Sequence, residues 1–199
     1  MRRAIVLATF ILLAMAFTAS LGWLLSNPDW EPAITAITLL TAITGLFIDR
    51  WLSEREHRAQ LLVALVHELY MNAGVLKQLD EIIEQAASTT VIMMPRFYNS
   101  TLSSVIGSGT FATSRDARLW KLMHAWLQRS SEANERFSFT ESYLGSHPKS
   151  ASDFCVKMRD GNVMRLVRET LLALSVHLVE HYRKESGVGS DTAIFDTEP

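Results

Sequence analysis

The chain has 199 residues, 48% of them hydrophobic and 20% charged, with a formal net charge of −2. So even a balance excludes a global basic field that would recruit nucleic acid, and a single cysteine, Cys155, excludes an intramolecular disulfide framework. The residues after position 48 are enough for one domain with one core, so the apolar excess must be concentrated before them.

The first element confirms that concentration. Ala4 to Leu25 holds no charged residue, and about 20 residues of helix cross a hydrocarbon core of roughly 30 Å. Arg2 and Arg3 precede this stretch, and Trp23 sits at its far end, where an indole suits the headgroup interface. A second uncharged stretch covers Ala33 to Ile48, flanked by Trp30 and Trp51. Between them lies the acidic turn Ser26-Asn-Pro-Asp-Trp-Glu-Pro32. Residues 1–48 therefore read as a transmembrane hairpin with spans at about 4–25 and 33–48. Arg2 and Arg3 flank one side together with Arg50, Arg55 and Arg58, while Asp29 and Glu31 mark the other. The positive-inside rule then places both termini in the cytoplasm. An alternative is a cleavable signal peptide, since a basic start and an apolar run precede Ala14-Met15-Ala16. The second stretch would then be a stop-transfer helix, and the C-terminal domain would still be cytoplasmic.

Small residues recur at helical spacing in both spans: Ala14, Thr18 and Gly22 in the first, Thr38/Ala42 and Thr41/Gly45 in the second. Such stripes let helices approach closely in lipid, either between copies or between the two spans of one chain. Neither span contains an ionisable residue, so no proton relay or charged transport path is encoded there.

From Asp49 to Ala87 there is no proline and one glycine, Gly74. Leu62, Leu65, Leu69, Asn72, Leu76, Leu79, Ile83 and Ala86 alternate by three and four, a heptad-like, coiled-coil seam. The second span is thus expected to continue through Trp51 as one long helix. Beyond it Pro95 breaks any helix that would run on, a short helix is predicted near Arg96 to Ile106, and Gly107-Ser-Gly109 is a turn. Thr113-Ser-Arg-Asp116 reads as a capping box. The next helix carries Leu119, Met123, Trp126, Ala133 and Phe137 on one stripe and should end before Gly145. The last helix is predicted from Ser152-Asp153 to Gly187, with Met164, Val167, Leu171, Leu174, Leu178 and His181 inward and Gly161 as a kink or break. Nothing reads as a convincing strand; the Thr89-to-Ile92 run is isolated. The expected fold is all-α: the hairpin, then an antiparallel helical bundle over 49–187, then an acidic disordered tail over 188–199.

His177-Leu-Val-Glu180-His181 fits H-x-x-E-H and resembles the inverted zinc-protease motif. Histidines at i and i+4 share a helix face and can bind a metal, with the glutamate as base. That family takes its third ligand from a later helix, and few residues come after His181; the plainer reading of His181 is a packed histidine. Arg118 and His124, spaced R-x5-H, resemble the motif of the HEPN superfamily, helical domains that include ribonucleases. The resemblance implies action on an RNA phosphodiester across a dimer; the plainer reading is a solvated arginine and a histidine beside Trp120 and Trp126. Glu54-Arg-Glu-His57 is a single E-x-x-H where a di-iron bundle needs two. Asn99-Ser-Thr101 is a glycosylation sequon, void in the cytoplasm. Asn72 differs in kind: it holds a core position with Glu68 one turn before it, and a buried amide requires partners and so can fix register or partner choice, with ligand contact as the alternative.

The Asp29-Trp-Glu-Pro32 turn, Glu68-Leu69 with Asn72, and the Arg118-to-Asn134 helix together resemble uncharacterised bacterial inner-membrane proteins that pair a two-span hairpin with a small helical cytoplasmic domain. The resemblance carries no catalytic signature and implies no cofactor; by analogy it allows a defence or stress role. The leading expectation is a non-enzymatic membrane-anchored interaction or signalling protein, multi-pass in the inner membrane. Its expected contacts are the lipid bilayer, further copies of itself and a cytoplasmic protein. A membrane-tethered HEPN-like ribonuclease and a membrane-perturbing effector are the alternatives.

Overall fold

The structure, a computed structural model, describes residues 11, 14–15, 17–22, 25–26, 31–85, 93–147, 153, 156–157 and 160–186. Trp23, Trp30, Ala86, the 89–92 run, Cys155, Gly187 and the 188–199 tail lie outside them, as does most of the predicted 4–25 span. The described residues are helical apart from short connections, and no strand occurs among them. The ordered elements are α1 (Glu31–Gln85), α2 (Ser100–Ser108), a 3-10 turn (Ser114–Asp116), α3 (Ala117–Ser146) and α4 (Asn162–Ser186). The chain divides into two compact units, Met1–His57 and Arg58–Pro199.

In the first unit the described positions between 11 and 26 are helical, and so is every residue from 31 to 57. No side chain from 35 to 57 is buried. The exposed set includes Ile37, Leu39, Leu46, Phe47, Ile48 and Trp51. Thr41 and Thr44 return their hydroxyls to the carbonyls of Ile37 and Leu40, at 2.8 and 2.7 Å, so their polar atoms are satisfied inside the helix. Thr18 does the same with Ala14 at 2.9 Å. By length and composition, one helix among the described residues is apolar enough to cross a membrane, the stretch within Thr35–Gln85.

In the second unit the apolar stripe of α1 turns inward. Leu62, Leu65, Leu69, Val75, Leu79 and Ile83 are buried with Glu68 and Asn72. Val75, rather than the expected Leu76, is the deeper of that pair. The start of α3 meets the end of α4 through Asp116 and Tyr182, and Phe137 lies with Met164 around a small cavity near their other ends. These two helices are therefore antiparallel; Leu119, Met123, Leu171 and Leu174 are buried in the core with Trp126 and Phe137, whose rings pack against Phe97 at 5.6 and 5.8 Å. α1 also runs opposite to α4, because Arg58 pairs with Glu185 and Asp80 with Arg168.

Four predicted details are corrected. The short helix begins at Ser100, not Arg96, and Met93–Asn99 is non-helical. The backbone N–H and C=O groups of Phe97 and Tyr98 are taken by side-chain amides, which denies them to a helix ladder. α2 then ends at Gly109 (φ 65°), whose N–H donates to the Ile106 carbonyl in a left-handed cap that glycine adopts without strain. The Thr113-x-x-Asp116 capping box does not form. The Thr113 hydroxyl donates to the Asp116 carboxylate at 2.7 Å and neither side chain caps a helix N–H. On α4 the inward stripe ends in Tyr182, with His177 buried beside it, while His181 is exposed. A break at Gly161 separates α4 from the helical positions 153 and 156–157, and α3 runs on through Gly145 to Ser146.

Candidate functional site

The densest polar constellation in the second unit is built around Asp116. Its position follows from the 3-10 turn that leads into α3, which aims the carboxylate inward between α1 and α4. One carboxylate oxygen accepts from Arg58 Nη2 (2.7 Å) and from the Tyr182 hydroxyl (2.7 Å). The other accepts from Arg58 Nη1 (2.9 Å) and from Thr113 Oγ1 (2.7 Å). Arg58 is thus bidentate, the geometry that a planar guanidinium and a carboxylate share. Its Nε donates to Glu185 Oε2 at 3.0 Å, and the other Glu185 oxygen accepts from Arg115 at 2.7 Å. The guanidinium also lies over the buried Phe111 ring, 4.7 Å from its centroid.

Asp116 is almost wholly buried. Burial pushes its carboxyl up, but the hydrogen bonds from Arg58, Tyr182 and Thr113 together outweigh it and hold the group well below the usual carboxylate range. The Asp116 hydrogen bond raises Arg58 above its ordinary value in spite of burial, and burial followed by the same carboxylate raises Tyr182. A carboxylate fixed as the anion, accepting four hydrogen bonds, has neither a proton to give nor a lone pair to offer. The arrangement is a lock, joining α1, the start of α3 and the end of α4.

A second constellation holds the connection Met94–Asn99. The Asn72 amide both donates to the Tyr98 carbonyl (2.9 Å) and accepts from the Tyr98 N–H (2.7 Å). Asn134 treats Phe97 in the same way, at 3.0 and 2.8 Å. Each amide copies one rung of a β-ladder, so two helices grip consecutive residues of an irregular segment. The Glu68 carboxylate accepts from the Thr101 and Leu102 N–H groups, at 2.6 and 3.0 Å, and so caps α2 from a neighbouring helix. Glu141 accepts from the Met94 N–H at 2.6 Å and pairs with Arg96, and Ser130 donates to the Asn99 side chain at 2.8 Å.

The other residues singled out by motif do not converge. Arg118 and His124 are both exposed on α3. His124 packs edge-on to Trp120, whereas the charge of Arg118 acts at His177. The rings of His177 and His181 lie tilted with centroids 4.4 Å apart; Glu180 lies 3.8 Å from His181 Nδ1, and its charge also acts at His177. No group of three metal-ligating side chains comes together among the described residues. Burial, then His181 and Arg118, lower the pKa of His177, and its buried Nδ1 has no hydrogen-bond partner. Thr18, Gly22, Thr41 and Gly45 are exposed, and nothing lies within 4 Å of where a Cβ would stand on either glycine.

The sequence pointed to Glu68 and Asn72, and to Asp116 only as part of a capping box, but not to the roles of Arg58, Tyr182, Glu185 or Asn134. Tyr182 had a signal, since it extends the Leu171, Leu174, Leu178 spacing by one turn. Arg58 was counted only as a topogenic charge. No family model, no curated protein and no solved structure matches the chain.

Proposed function

We propose that the protein is a membrane-anchored helical interaction or signalling protein without catalytic activity. Its 1–48 hairpin would sit in the bacterial inner membrane, with both termini and the helical domain in the cytoplasm. The observation that carries this reading is the stretch 35–57 of α1, where no side chain is buried and large apolar residues face outward. Exposure of that surface to water costs about 25 cal/mol for each Å², and exposure to lipid does not. Arg50, Arg55 and Arg58 after the span, and Asp29 and Glu31 before it, supply the orientation. The lock around Asp116 and the clamp around Phe97 and Tyr98 engage Arg58, Glu68, Asn72, Asp116 and Asn134 in structural roles, which favours a binding module over an enzyme.

Fractionation with alkaline washing, combined with reporters fused at residue 28 and at the C-terminus, tests the reading. Retention in the washed membrane, a periplasmic report at residue 28 and a cytoplasmic one at the C-terminus are expected. Release of the intact protein by alkali would overturn the anchor, and a cytoplasmic report at residue 28 would overturn the hairpin.

A further inference from the structure

The second unit carries an exposed apolar face on the α1/α4 pair. On α1, Val63 and Tyr70 are exposed two turns apart, and exposed Lys77 continues the row. On α4, Leu172, Val176 and Val179 are exposed at i, i+4, i+7 spacing, preceded on the same row by exposed Glu169, which pairs with Arg165 at 2.9 Å. Tyr70 is 56% exposed and Leu172 50%. Each row borders the residues that join the two helices, Asp80 on α1 and Arg168 on α4, and lies on the side away from the core. The two rows flank these ion pairs on the outer side and make up a discontinuous strip.

The ion pairs Arg58–Glu185 and Asp80–Arg168 also set heights along the antiparallel helices. Interpolating between them places Tyr70 within about one turn of the height of Val176, and Lys77 within about one turn of Glu169 and Thr170. The strip is therefore self-complementary. A twofold axis parallel to the helices would lay α1 of one copy against α4 of the other at the same height. Tyr70 would then meet Val176, and Lys77 would meet Glu169, with apolar contacts at the centre and opposite charges at one end.

We propose that this face is the interface between two copies of the chain. The parallel orientation rests on the membrane-anchored reading, which gives every copy the same direction and confines the copies to a plane, raising their effective concentration. The test uses the full chain in detergent and in lipid nanodiscs, with the monomer–dimer ratio measured by single-molecule photobleaching. Lys77→Glu and Glu169→Lys should each weaken pairing by about tenfold, and the double exchange should restore it. Val176→Glu should weaken pairing with the helical content unchanged. Dimer levels identical in all four variants, or a double exchange no better than the singles, would overturn the interface. Alkaline-washed membranes from the same cells separate the two readings: chains retained in the membrane yet monomeric overturn the pairing alone, while chains released as dimers overturn the anchor alone.

Discussion

The two parts of α1 place the same kinds of side chain in opposite surroundings. Between 35 and 57 no leucine, isoleucine or phenylalanine is buried; between 58 and 85 Leu62, Leu65, Leu69 and Leu79 are buried and Leu61 and Leu76 partly so. The polar groups invert as well. In the first stretch hydroxyls bond back to their own helix, while in the second Arg58, Glu68 and Asn72 reach other elements. What changes is the location of the partners. A helix in lipid must satisfy its polar groups by itself, and a helix in a bundle can offer them to neighbours.

The largest expected effect falls on the bundle side. Asp116→Ala leaves the half-buried Arg58 guanidinium without its bidentate partner and should destabilise the second unit by about 3–5 kcal/mol. A loss below about 1 kcal/mol in a denaturant titration would show that solvent reaches the site. On the other side, Thr41→Arg puts a charge near the middle of the apolar stretch and should cost about 2.5–3.5 kcal/mol of insertion, read as loss from the washed membrane fraction. If both variants acted on one fraction alone, the contrast between the two parts of α1 would fail.

Smaller effects sharpen the comparison. Asn72→Leu strips two partners from the Tyr98 backbone and should cost about 1–3 kcal/mol, with hydrogen exchange quickening first around Phe97 and Tyr98. Tyr182→Phe removes one of the four hydrogen bonds to Asp116 and should cost about 1.5–3 kcal/mol, at the lower end if Arg58 and Thr113 hold their places.

Two groups predict acid sensitivity. The carboxyl of Asp116 is lowered in the folded state, so its contribution is complete above the ordinary carboxylate range and fades as pH falls through that range toward the folded value. His177 is also lowered, so the unfolded chain takes up its proton first and stability declines as pH falls below the ordinary histidine range. His177→Leu should flatten the stability profile in mild acid and leave the steeper fall at lower pH in place. An unchanged profile in mild acid would assign that slope to another histidine.

The sequence by itself determined the all-α class, the apolar stretch before Asp49, the seam of the long helix and the stripes of α3 and α4. These features come from local periodicity, since a run without charge or a three-and-four spacing is written in consecutive residues. It also marked Asn72, with Glu68 one turn before it, as needing partners, because an amide on an apolar seam cannot stay unpaired. It did not name those partners. The peptide groups of Phe97, Tyr98, Thr101 and Leu102 look like any others in the sequence, and the start of the short helix was misplaced for that reason. Thr113-x-x-Asp116 had the letters of a cap, yet a guanidinium and a phenol from two distant helices drew the carboxylate inward. Which helix face is buried is a local property of the chain, but what a buried charge binds is set by residues that only the tertiary fold brings within hydrogen-bond reach.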